Sequence, residues 1–124
     1  MHKSQLAGFI IDCKTDDLDT AADFWSRALG LEAETDSEDS KYVLLKTRPE
    51  EVHVEVQKVN HPSRLHLDIE TDDIEAEVSR LEKLGARRIG PAHTWVVMEA
   101  PTGQRFCVVT PQRAGFEETA NSWQ

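Results

Sequence analysis

The sequence predicts an α+β fold, two βαβββ modules in tandem at about residues 6–59 and 64–110 with a tail at 111–124, all in one domain. Three observations carry this expectation. The segment Phe9-Ile10-Ile11-Asp12-Cys13-Lys14-Thr15-Asp16-Asp17-Leu18 recurs in pattern as Leu65-His66-Leu67-Asp68-Ile69-Glu70-Thr71-Asp72-Asp73-Ile74, an internal repeat with a period of about 55 residues. Each copy runs on into an amphipathic helical stripe that ends at a glycine, Gly30 or Gly85. Three strand candidates follow each glycine.

In the first copy an alternating strand leads into Thr15-Asp16-Asp17, where Asp16 is placed to cap a helix. Leu18, Ala21, Ala22, Trp25, Ala28 and Leu29 then recur at helical spacing and form one apolar stripe. Gly30 supplies the left-handed residue that commonly ends a helix. Strands are expected at 31–35, 41–47 and 52–58, with turns at 36–40 and at Arg48-Pro49-Glu50. Asn60-His61-Pro62-Ser63 links the copies. In the second copy Asp72 is the expected cap, Glu75 stands in a capping-box relation to it, and Ile74, Val78, Leu81 and Leu84 make the stripe. Strands at 86–90, 94–99 and 105–110 follow, separated by Gly90-Pro91 and Pro101-Thr102-Gly103. Beyond Pro111 the periodicity fades into a tail anchored by Phe116 or Trp123.

Alternation along the strands sorts side chains onto two faces. Leu65, Leu67 and Ile69 should face the helix and leave His66, Asp68 and Glu70 opposite. Phe9, Ile11 and Cys13 should do the same and leave Ile10, Asp12 and Lys14; Val52, Val54 and Val56 leave His53, Glu55 and Gln57. In the last strand Phe106 and Val108 alternate with Arg105, Cys107 and Val109. The polar faces either meet water or, if the sheets curl together, line a cleft for a small organic molecule. Periodicity leaves both outcomes open.

Composition narrows the function classes. The net charge of −9 and the lack of a basic, aromatic-interleaved stripe argue against nucleic acid and anionic membranes as partners. No apolar run approaches the roughly 20 residues of a membrane helix, and no secretory leader pattern opens the chain, so a cytoplasmic location is expected. Cys13 and Cys107 lack Cys-x-x-Cys spacing and read as free thiols.

Three stretches, Phe24-Trp25-Ser26-Arg27-Ala28-Leu29-Gly30-Leu31, Arg64-Leu65-His66-Leu67-Asp68-Ile69 and Ala100-Pro101-Thr102-Gly103-Gln104-Arg105-Phe106-Cys107, in this order and spacing resemble the vicinal oxygen chelate superfamily. That superfamily includes glyoxalase I, bleomycin-resistance proteins and dioxygenases, and the glyoxalase-like branch is the nearest. The resemblance implies paired modules forming a cleft-lined, partly open β-barrel, and a homodimer. It also implies four metal positions, which fall here at Ile10, at Glu55 (or at Gln57, with a slip of two), at His66 and at Cys107. Ile10 cannot coordinate, and Cys107 replaces a glutamate, so the quartet is broken: no cofactor is expected, with a divalent metal on His66 and Glu55 left open. The turn Ala100-Pro101-Thr102-Gly103 departs from the usual Asp-Pro-Asp-Gly, a change of loop stability rather than chemistry.

His66 has a bland reading, a histidine satisfied by Asp68 or Glu55, and a sharper one, a general acid or base or a ligand contact. Glu55 is its candidate catalytic partner. Asp68, Gln57, Asp12, Trp95 and Cys107 are candidate ligand-binding residues, with Trp95 as an apolar wall. Cys107 as a nucleophile lacks a third orienting group. Trp25 reads as core, His53, His61 and His93 as surface, and the acidic run 34–39 as a solvated loop. Two function classes follow: a glyoxalase-like enzyme of lyase or isomerase type, or a non-catalytic protein that sequesters an antibiotic-like small molecule.

Overall fold

A computed structural model describes residues 1–35, 41–92 and 94–124. The expected turn at 36–40, most of the acidic run and His93 lie outside the described residues. The elements are β1 (His2–Lys14), α1 (Leu18–Leu29), β2 (Ala33–Thr35), β3 (Tyr42–Leu45), β4 (His53–Val59), β5 (Arg64–Thr71), α2 (Ile74–Lys83), β6 (Arg87–Ala92), β7 (Trp95–Glu99), β8 (Arg105–Val109), α3 (Phe116–Thr119) and β9 (Asn121–Trp123). No helix among the described residues is long and apolar enough to cross a membrane.

The chain divides into two compact units, Gly8–Leu65 and a second comprising residues 1–7 and 66–124. In the first, β2, β3 and β4 run antiparallel in that order, and β1 closes the row in parallel with β4, with Ile10 opposite Glu55 and Asp12 opposite Gln57. In the second, the order is β5-β8-β7-β6, with β5 parallel to β8. Each row ends on an open edge strand, β2 or β6, so neither sheet closes into a barrel.

Both helices start one residue later than the capping pattern suggests. Asp17 and Asp73, not Asp16 and Asp72, are the caps: Asp17 Oδ1 accepts from the Thr20 N–H at 3.1 Å and Asp73 Oδ1 from the Ala76 N–H at 3.1 Å. The reason is the threonine. Thr15 Oγ1 accepts the Asp17 N–H at 2.9 Å, and Thr71 Oγ1 accepts the Asp73 N–H at 3.1 Å, so each Thr-x-Asp folds into a side-chain turn that delivers the second aspartate in extended geometry. Glu75 therefore makes no capping box; it accepts from Arg88 Nη2 at 2.8 Å.

Each helix packs on the later strands of its own copy. α1 packs on β2, β3 and β4, and α2 on β6, β7 and β8. Val78 and Leu81 of α2 bury against Val96, Met98, Phe106 and Val108, with Ile69 and Ile74 at the margin. Leu65 and Leu67, placed under a helix by alternation, are instead 59% and 41% exposed. Conversely, Ile10 and Asp12 on the presumed polar face are 4% and 2% exposed.

In the second unit, two buried carboxylates gather the chain ends. Glu70 accepts from Gln5 Nε2 at 2.7 Å and from the backbone N–H groups of Gln112 and Arg113. Glu77 accepts from both Arg80 Nε and Nη2 at 2.8 Å and lies 2.8 Å from His2 Nε2. Burial opposes its ionisation, but the bonds from Arg80, His2 and Ser4 prevail and hold its carboxyl below the ordinary value. The tail is a structured element. Phe116 is buried, β9 pairs antiparallel with residues 2–4, Trp123 Nε1 donates to Ser4 Oγ at 2.8 Å, and the Arg80 guanidinium stacks 3.9 Å from the Trp123 ring centre.

Gly8 sits where β1 meets β4, and a β-carbon there would collide with the His53 carbonyl. Gly8→Ala should therefore cost about 1–3 kcal/mol, read as a lower urea midpoint. A lowered Glu77 stabilises the fold above the unfolded carboxyl value of about 4.3, and this is lost as pH falls through the lower folded value. Glu77→Gln should thus lower the urea midpoint at pH 7, with the gap from wild type closing as the pH falls below about 4; a gap constant with pH would contradict this assignment.

Candidate metal centre

Alternation along β5 puts His66 and Asp68 on the same side of the strand. The parallel register then sets Asp68 directly opposite Cys107 of β8. A ring nitrogen of His66, a carboxylate oxygen of Asp68 and the Cys107 sulfur consequently lie within 4.8 Å of one another, all half-buried. His66 Nε2 stands 3.5 Å from Asp68 Oδ1, an ion pair whenever the imidazole is protonated. That Oδ1 is inaccessible to water and makes no hydrogen bond among the described residues. A buried carboxylate oxygen without a donor is costly, and a cation is one of the few things that removes the cost.

The donor chemistry can be tested against the ion. Imidazole nitrogen, carboxylate oxygen and thiolate sulfur are all zinc ligands, and three protein donors with a free fourth position match a catalytic rather than a structural zinc site. The sulfur makes the set a poorer match for manganese or magnesium, which favour oxygen. The residues thus fit a divalent cation of the zinc type. The expectation of no cofactor is not supported, and Cys107, read as breaking the expected quartet, stands in a cluster that could hold a divalent cation.

The other predicted residues are placed as follows. Glu55 lies on β4 of the Gly8–Leu65 unit, half-buried, between Ile10 and Leu44. Gln57 donates from Nε2 to the Tyr42 hydroxyl at 3.0 Å. Asp12 pairs with Arg64 Nε at 3.5 Å. Trp95 opens β7 and is half-buried. Both cysteines are free thiols, as expected. Asp68, expected only as a ligand-binding residue, stands with His66 and Cys107 in a cluster that sequence reasoning did not assemble. The signal, a His-x-Asp on one strand face, was visible, but not the strand opposite.

A family description, glyoxalase-like domain, matches residues 8–109. The chain belongs to the glyoxalase-like domain family. Solved structures agree with the fold of this glyoxalase-like chain. It is similar to the Mn(II)-bound glyoxalase from Novosphingobium aromaticivorans, with 16% identity, 92% of this chain and 44% of that chain covered, and a TM-score of 0.59. This chain therefore spans less than half of that protein. It is also similar to the methylmalonyl-CoA epimerase of Streptomyces coelicolor in complex with 2-nitronate-propionyl-CoA, with 14% identity, 87% and 98% covered, and a TM-score of 0.58. An NAD-dependent benzaldehyde dehydrogenase from Legionella pneumophila gives 8% identity, 83% and 99% covered, and a TM-score of 0.59. No curated protein matches.

Because a metal-bound thiolate is shielded from electrophiles, one zinc equivalent should slow disulfide-reagent labelling of one of the two thiols by about tenfold or more. Cys107→Ser should leave a single thiol whose labelling zinc does not affect. Equal protection of Cys13 in that variant would place the metal elsewhere.

Proposed function

We propose that this glyoxalase-like chain is a metal-assisted enzyme of lyase or isomerase type acting on a small organic molecule. The observation that carries the reading is the His66, Asp68 and Cys107 cluster with its donorless buried carboxylate oxygen. These three residues would hold the cation, which when bound supplies a Lewis acid for a substrate oxygen. His66 Nε2 and Asp68 Oδ1, 3.5 Å apart, are close enough to reach one cation together. The small-molecule reading draws support from the family match and from the similar epimerase.

Metal analysis of protein purified without chelator tests the proposal. Wild type should carry close to one zinc per chain, and Asp68→Asn and Cys107→Ser should each weaken binding by about 10–100-fold or more, more steeply in acid, where protons compete for the donors. His66→Ala should lose the metal and, with it, turnover of a small 2-oxo or hydroxy compound. Metal-free protein that takes up no zinc at micromolar concentration would sink the metalloenzyme reading and leave non-catalytic sequestration in its place.

A further inference from the structure

Within the Gly8–Leu65 unit, β1, β4 and α1 line a pocket of about 680 Å³. Phe9, Ile11 and Cys13 of β1 and Val54 of β4 form its floor, and Trp25 and Leu29 of α1 form its wall. These strand residues alternate with Ile10 and Glu55, so the pocket opens on the helix side of the sheet, away from the face that carries Glu55. None of the three metal donors contributes to it. Its volume lies within the range of about 300–1,000 Å³ typical of small-molecule sites.

The lining also specifies the ligand. Its charged groups, Asp12 and Arg64, are paired with each other at 3.5 Å, so they present no net charge. The Cys13 thiol stays neutral: burial raises its pKa, a bond to Trp25 opposes this, and the Asp12 charge adds to it. The indole of Trp25 is held edge-on to Phe24, ring centres 5.0 Å apart at 86°, and presents a fixed aromatic wall. A second copy of the chain is a poorer occupant: each copy carries −9, and a stable dimer needs about 800 Å² of surface from each partner, far more than this concavity offers.

We propose that this pocket is a second binding site, for a neutral aromatic small molecule, distinct in its residues from the metal centre.

The matched probes N-phenyl-1-naphthylamine and its sulfonated analogue 8-anilino-1-naphthalenesulfonate differ by one anionic group. Fluorescence titration of the full chain should show saturable 1:1 binding of the neutral probe and at least tenfold weaker binding of the sulfonate. Cys13→Phe fills the floor and Leu29→Trp, on the half-exposed wall, fills the pocket from the side; each should weaken the neutral probe by about tenfold or more, roughly the loss of one buried ring contact. Asp68→Asn should leave it unchanged. Neutral-probe binding that survives in both folded filled variants, or is lost in Asp68→Asn, overturns the site. So does sedimentation showing a wild-type dimer that Leu29→Trp splits, since the pocket would then be an interface between copies.

Discussion

Both the metal cluster and the pocket depend on one constraint: in each copy the first strand pairs in parallel with the last, β1 with β4 and β5 with β8. Parallel strands need a long crossover, here a helix and two antiparallel strands. In the copy beginning at β5 this sets Asp68 beside Cys107. In the copy beginning at β1 it sets Phe9 beside Val54 on the floor of a pocket that Trp25 also lines. Neither feature follows from the helices or the turns.

The repeat makes the asymmetry of the two copies readable in chemical terms. His66, Asp68 and Cys107 correspond in register to Ile10, Asp12 and Gln57. The first copy keeps only the aspartate. Ile10 has no donor, the Gln57 amide is engaged with Tyr42, and the buried Asp12 charge is neutralised by Arg64 instead of by a cation. One ancestral pattern thus yields a donor set in one copy and an ion pair in the other.

The second unit holds its chain ends through side chains whose partners are remote in sequence. Glu70 draws together Gln5 and the backbone at 112–113, and Glu77 draws together His2 and Arg80, which itself stacks on Trp123. Such a full supply of donors offsets the cost of burying the two carboxylates. The tail is therefore ordered although its own sequence has no periodicity to show it.

The α+β class, the two βαβββ copies, both helices and nearly every strand were legible from the sequence, because period and turn chemistry are local properties of the chain. So was the difference between the two copies, since Ile10 against His66 is a difference in residue type. The cap positions were off by one residue because the Thr-x-Asp turn competes with the simpler capping pattern. What only the tertiary structure decided is which strands lie side by side and what each helix covers. Register between β5 and β8 joins residues about forty positions apart, and no local pattern encodes it. For that reason only the structure brings Asp68 and Cys107 together, and shows Phe9, Ile11 and Trp25 as the lining of a pocket rather than a sealed core.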